Sequence, residues 1–339
     1  TTSIIRSRCK GRIKISRCSC LNVTKGVVIS PFLCYYEVII MKNKHIEHPE
    51  DSILNGDLSV LNWFTADSHI SVKIDGSPAI VWGTNPANNK FFVGTKSVFN
   101  KKLIKINHNH ADVDRNHKGK VADILHLCLD NLPFTDNIYQ GDYLGCGGTD
   151  SFNPNTIRYD FPDKVFQEIV IAPHTVYFAK KDLRDAVAVP MDFTLIDTLN
   201  CKFVQPEVTL KEDRVSMIDR CNFARQIATL CEFPNDKQVK TIKRQLNTCI
   251  REEIEIDDIT LEALASDNEI DVNVLRLWQL VRSIKWDLFS FIERDDEIEC
   301  YINDEECDHE GYVISNDYGT FKLVDRDVFS KNNFLKVRD

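Results

Sequence analysis

Along this chain the spacing of apolar residues shifts between two and three-to-four, and those shifts predict an α+β protein built on antiparallel sheet. Over 70–75, 79–82 and 90–94 the residues alternate polar with apolar or run continuously apolar, with the turn-forming clusters 76–78 and 85–89 between them. The reading there is an antiparallel meander with Lys73 near its centre. Further strands are predicted over 138–144, 165–171, 175–178, 193–197, 310–315 and 320–325. Helical spacing predicts a helix over 46–64, with Pro49, Glu50 and Asp51 in its first turn and a stop near Asn55-Gly56. A second helix is predicted over 121–132, where Val121, Ile124, Leu125 and Leu129 recur three or four apart. From 206 to 294 the pattern becomes helical, and Val272, Leu275, Trp278, Val281, Ile284, Leu288 and Phe291 form one stripe that reads as core.

Composition narrows the class. A chain of 339 residues with 43% hydrophobic content can bury a sizeable core as one large domain or two ordinary ones. Its twelve cysteines include no C-x-x-C pair, so reduced core thiols in a cytosol are expected. Residues 1–40 carry seven basic residues and one acid, which leaves 35 basic and 50 acidic residues in 41–339. The molecule as a whole therefore repels nucleic acid, and any such partner needs a local basic groove. The apolar run 27–36 is too short to span a bilayer and no small-residue cleavage site follows it. Met41-Lys42-Asn43-Lys44 reads as a natural beginning, so 1–40 is expected to be an extension that is not native. No membrane contact and a cytoplasmic location are expected with it.

Chemistry enters at Lys73-Ile74-Asp75-Gly76. A strand's two-residue period puts Lys73 and Asp75 on one face, with Val72 and Ile74 on the other, and Gly76 ends the strand where a backbone or ligand can come close. Gln140-Gly141-Asp142-Tyr143, Glu310-Gly311-Tyr312-Val313 and Thr320-Phe321-Lys322-Leu323-Val324 follow in that order.

The series resembles the covalent nucleotidyltransferase superfamily of ATP-dependent DNA and RNA ligases and messenger-RNA capping enzymes, whose members carry K-x-D-G, a D/E-G-E strand, E-G-x-V and a lysine-bearing strand. The resemblance implies an antiparallel-sheet, ligase adenylation-type domain; the helical stretch reads as an insertion within it, and with only 15 residues after Val324 no C-terminal OB-fold is expected. Its parts would be the first section 41–205, the insertion 206–297 and the last strands 298–339. By the same resemblance Lys73 takes the nucleotide and Lys322 assists. Asp75, Gly76 and Asp142 hold the nucleotide, Tyr177 or Phe178 of Ala172-Pro173-His174-Thr175-Val176-Tyr177-Phe178 holds the base, and Asp142 with Glu310 carries Mg²⁺ or Mn²⁺. ATP is the implied cofactor and RNA or DNA ends the implied acceptor; no obligate protein partner is implied. Pro78, Gln140 and Val324 depart from the pattern, so a GTP-using capping-type enzyme and a nucleotide- or nucleic-acid-binding protein without turnover stay open. Segments 48–51, 94–97 and 154–159 also resemble uncharacterised proteins of large tailed phages.

Two physical conditions accompany this reading. A lysine attacks phosphorus only as the neutral amine, scarce at neutral pH with a reference pKa of about 10.4. Burial and the charge of Lys322 or a metal are therefore expected to lower Lys73. In the hairpin 310–325, Glu310 and Lys322 share a face only if paired residue numbers sum to an even value. A five-residue loop 316–320, pairing Ile314 with Lys322, meets that condition, and a four-residue loop would send them to opposite faces.

Other clusters read as structural. Gly145-Cys146-Gly147-Gly148 has no following helix and no phosphate-loop lysine, so it reads as a turn. His108, His110, Asp112, Asp114 and His117 lie in a polar stretch and read as solvated loop rather than metal site. Lys237, Lys240, Arg244 and Arg251 share a helix face that reads as solvated.

Overall fold

The structure is a computed structural model that describes residues 46–211 and 215–326; the expectations for 1–40 and for the start at Met41 lie outside the described residues. In chain order the elements are α1 (Pro49–Ile53), α2 (Val60–Trp63), β1 (His69–Val72), β2 (Ala79–Asn85) and β3 (Lys90–Gly94). Next come α3 (His110–Asn116), α4 (Lys120–Asn131), β4 (Ile138–Cys146), β5 (Thr149–Phe152), β6 (Arg158–Val165) and β7 (Ile169–Phe178). Then follow β8 (Val187–Pro190), β9 (Cys201–Phe203), β10 (Glu207–Leu210), α5 (Val215–Ala228), α6 (Asp236–Arg251), α7 (Asp258–Asp267) and α8 (Val272–Ser290). The last strands are β11 (Ile292–Asp295), β12 (Glu299–Ile302), β13 (Glu305–Cys307), β14 (Gly311–Asn316) and β15 (Gly319–Val324).

The α+β class is observed. Among the described residues four sheets form, ordered β3-β2-β4-β7-β8 with β9 beside β7, β1-β14-β15, β13-β12-β6-β5 and β10-β11. All pairings between strands are antiparallel except β7 with β9. One face of the large sheet packs Ile80, Trp82, Tyr139 and Ile171 against Leu125 and Cys128 of α4. The sheet β1-β14-β15 packs Ile70, Tyr312, Ile314 and Phe321 against α1, α2 and the helices of 215–290.

Helices α5 to α8 lie between the two strands of a pair in which Glu207 faces Asp295 and Leu210 faces Ile292. Asn235 and Gln238 close a capping box at the start of α6, which satisfies otherwise orphaned backbone donors. The stripe on α8 is core as expected: Leu275, Trp278, Val281, Ile284 and Leu288 are buried. The basic face of α6 is solvated at Lys237, Lys240 and Arg244.

Several expectations are corrected. The helix over 46–64 is two short pieces, because Asn55, Gly56 and Asp57 interrupt it and Gly56 adopts φ 74°. Its acids Glu50 and Asp51 do lie in the first turn, as expected, and both are buried. Glu50 accepts from Lys285 Nζ at 2.9 Å and from Arg326 Nη1 at 3.0 Å, and Asp51 accepts from Arg326 Nη1 at 2.9 Å and Trp278 Nε1 at 3.0 Å, all within the core. Lys73 is not central to a meander: β1 pairs with β14, not β2. Strands predicted over 165–171 and 175–178 become the end of β6 and one long β7, and 193–197 is not a strand.

The described cysteines are all free thiols, and burial raises those of Cys128, Cys201 and Cys221 above the ordinary range. No helix of the described residues is long and apolar enough to cross a membrane.

Candidate functional site

A cleft of about 660 Å³ opens between the large sheet and β1, walled by Lys73, Asp142, His174, His69, Lys96 and Phe193 among others. That volume suits a small-molecule ligand.

The turn after β1 creates this site. Lys73 N donates to Gly311 O at 2.8 Å and extends the β1–β14 ladder by one residue. The chain then crosses to the large sheet, where Ser77 N donates to Tyr143 O at 2.9 Å and Tyr143 N to Pro78 O at 3.1 Å. At the crossing, a Cβ on Gly76 would lie 2.7 Å from Tyr143 O and 2.9 Å from Asp142 Cβ, so only glycine lets the backbones approach this closely. Lys73 thus stands at the seam of two sheets with Asp142 on the opposite wall.

Glu310 reaches Lys73 from the other direction. Lys73 Nζ lies 2.5 Å from Glu310 Oε2, with the side chains 26% and 13% exposed. Burial disfavours the ammonium of Lys73, but Glu310, and behind it Asp75 and Asp142, outweigh burial and hold its pKa above the ordinary lysine value. This reverses the expected lowering. Burial raises the pKa of Glu310 despite the opposing charge of Lys73. Lys322 moves the way expected of Lys73: burial and then the charge of Lys73 lower it.

The hairpin does not have the expected register. Val313 pairs with Lys322 and Ile314 with Phe321, an odd sum closed by the tight turn between Asn316 and Gly319. Strict alternation would put Glu310 on the face away from Lys322. Gly311, at φ 137°, breaks that alternation, and a Cβ there would meet Leu323 O at 1.9 Å. Glu310 therefore turns to Lys73 and comes within electrostatic reach of Lys322. Lys322 shares its row with Val313 and Ser71, both on the cleft wall.

Asp75 and Tyr177 do not take their expected places. β1 ends at Val72, and Asp75 turns to the sheet of β5 and β6, where its carboxylate accepts from Asn155 Nδ2 at 2.7 Å and its N–H donates to Tyr159 Oη at 2.7 Å. Tyr177 is 4% exposed, lies 4.3 Å from the Phe99 ring between centroids and donates its hydroxyl to Gln140 Oε1 at 2.7 Å. Its ring is covered and does not line the cleft. Phe178 is exposed and does not line it either.

His174 lines it instead. A bulge between Gln140 and Gly141 pairs Gln140 with Thr175 and Gly141 with Pro173, leaving His174 as the unpaired extra residue. Gln140 Nε2 lies 3.3 Å from His174 Nε2, and His174 Nδ1 lies 2.7 Å from Thr175 Oγ1. With the Gln140 amide donating, His174 Nε2 accepts and Nδ1 is left to donate to Thr175 Oγ1. So Gln140, which replaces an acid of the resembled pattern, orients an imidazole. Across the cleft, His69 Nε2 is buried without a hydrogen-bond partner, which leaves it for a ligand. His69 gave no motif signal; His174 lay within a quoted segment, but only the bulge aims it.

Mg²⁺ is commonly held by one or two carboxylates together with substrate phosphates. Asp142 fits that role, its only ion partner among the described residues being His174 Nε2 at 3.9 Å. Glu310 is engaged by Lys73, and among the described residues no three His, Cys, Asp or Glu gather as a metal group. A single carboxylate of this kind fits only a metal that a phosphate ligand would bring with it.

The model of the family described as "Family of unknown function (DUF6267)" matches residues 43–260 and 235–338. No curated protein and no solved structure matches.

Proposed function

The chain belongs to the DUF6267 family, and because that membership brings no activity with it, we propose from the cleft that this protein is a ligase-type nucleotidyltransferase forming a lysyl-AMP intermediate. The observation that carries the reading is that Lys73 and Asp142 line one cleft, with Glu310 against the Lys73 ammonium and Lys322 within electrostatic reach of Lys73 and Glu310.

In this reading ATP enters the cleft with its phosphates toward Lys73, Lys96 and Lys322. Glu310, whose proton affinity is raised by burial, takes the proton of the Lys73 ammonium beside it. The freed amine attacks the α-phosphorus, an N–P bond forms, and the bond to the β-phosphate oxygen breaks as pyrophosphate leaves with the electron pair. Lys322 stabilises the phosphate oxygens, His69 and His174 position the ligand, and a Mg²⁺ on Asp142 would offset charge on the same oxygens. AMP then passes to a nucleic-acid 5′-phosphate. We place the protein in the cytoplasm, a reducing compartment that suits its free thiols.

The test is incubation with α-labelled ATP or GTP followed by denaturing electrophoresis. Label retained on the parent from ATP, acid-labile and absent from Lys73→Ala, is the expected result. Label from GTP alone would favour a capping-type enzyme. A protein that binds nucleotide without transferring it is the second reading, favoured by the carboxylates that hold Lys73 as an ammonium. It predicts no adduct from either nucleotide and undiminished nucleotide binding by Lys73→Ala.

A further inference from the structure

Positive charge in this acidic protein gathers on one surface beside the cleft. The short 3-10 helices Lys96–Phe99 and Leu183–Asp185 pack together over a small core of Val81, Phe92, Val98, Ile138, Tyr177 and Leu183. The segments that contain them, 95–106 and 179–186, bring Lys96, Lys101, Lys102, Lys105, Lys180 and Lys181 to one platform. All but Lys105 are exposed, and among the described residues none of the six is in an ion pair. Of the two acids in these segments, Asp182 is neutralised by Arg184 at 2.7 Å, leaving Asp185. Residues 41–339 carry a net charge of −15, so this platform stands against the prevailing sign. Such a concentration of unpaired lysines repels itself and has no evident role in holding the fold.

Two features fix the partner's chemistry. Lys96 belongs both to the platform and to the cleft wall, so a polyanion on the platform leads directly to the site. Phe178, 46% exposed, precedes the 179–186 segment and offers a ring on which an unpaired base can stack. We propose that this platform is the docking surface for single-stranded nucleic acid, whose backbone crosses Lys101, Lys102, Lys180 and Lys181 and whose end enters the cleft past Lys96. The fate of that end rests on the nucleotidyltransferase reading; the binding does not.

The test is fluorescence anisotropy of the full chain with a short labelled single-stranded oligonucleotide over a range of salt. The parent binds with affinity falling steeply as salt rises. The K101E/K102E/K180E/K181E variant binds at least about tenfold more weakly and loses about 3 from the logarithmic salt slope, at ~0.7 per phosphate contact. K237E/K240E/R244E, on the solvated face of α6, controls for net charge and binds closer to the parent. Parent-like affinity and slope in the quadruple variant overturn the proposal, as does retention of the parent on anionic lipid vesicles without oligonucleotide binding. Labelling with ATP, run in parallel, keeps the two readings apart. An adduct that forms equally in parent and variant while binding differs supports both. No adduct with a clear binding difference removes the chemistry and leaves the surface.

Discussion

Glu310 lies within electrostatic reach of Lys322, although the pairing of Val313 with Lys322 assigns them by alternation to opposite sides of their hairpin. Gly311, the first residue of β14, accounts for this, since its φ of 137° turns the chain there. The glycine of this segment sets the direction of a charge.

Gly311→Ala should therefore damage both stability and site. Its Cβ would overlap Leu323 O, and the backbone conformation disfavours any side chain. A loss of at least about 2 kcal/mol is expected in urea unfolding. The lysyl adduct should be lost even at temperatures where the variant remains folded. Full stability with full labelling would remove the account of how Glu310 is placed.

The charge state of Lys73 gives a pH prediction. Its pKa lies above the ordinary lysine value because nearby carboxylates outweigh burial, so its share of stability is complete below that ordinary value and disappears only as pH rises through the higher folded pKa. In Glu310→Gln the nearest opposing charge is gone, and burial, already the largest single influence, is opposed only by Asp75 and Asp142. The midpoint of Lys73 modification by acetic anhydride, followed by mass spectrometry across pH, should fall below the parent's. An unchanged midpoint would mean that Glu310 does not hold this proton.

Lys285 tests the buried network. It is fully buried on α8 and donates to Glu50 at 2.9 Å and to Val324 O at 3.3 Å. Burial alone would raise Glu50, but Lys285, His48 and Arg326 outweigh it and hold the carboxyl at about 2. Folding stability from this group is complete above pH 4.5, its ordinary value, and is lost as pH falls from there through about 2. Lys285→Met should cost about 3–5 kcal/mol at neutral pH by stranding Glu50, and adding Glu50→Gln should recover part of it. Chemical denaturation at neutral pH and near pH 3 measures both effects.

The cleft's aromatic wall can be separated from the core beside it. Tyr177→Phe removes one hydrogen bond to Gln140, should cost about 1 kcal/mol and should leave nucleotide affinity within twofold, because the ring does not line the cleft. His174→Ala should weaken nucleotide binding several-fold with little change in unfolding midpoint. Isothermal titration calorimetry decides, and the reverse pattern would restore Tyr177 as a ligand contact.

Local spacing was enough for β3, for the stripe on α8 and for the helix at 120–131, because each depends on neighbours within a few residues. It failed over 46–64, where the apolar positions pack onto several partners instead of one helix face, and at Lys285, a charge within an apolar stripe whose partner Glu50 is 235 residues away. It also failed at Tyr177 and His174, since a bulge in β7 shifts which side chains face the cleft and bulges leave no periodic trace.

By itself the sequence determined the α+β class, the helical character of most of 215–290 and the order of Lys73, Asp142, Glu310 and Lys322 along the chain. Only the tertiary structure decided that Glu310 lies against Lys73, 237 residues away, and that this pairing raises rather than lowers the lysine's pKa. The reason is that proton affinity depends on the burial and charges gathered around an atom. Those are set by strand pairing across hundreds of residues and by the backbone turns at Gly76 and Gly311, not by spacing along a single segment.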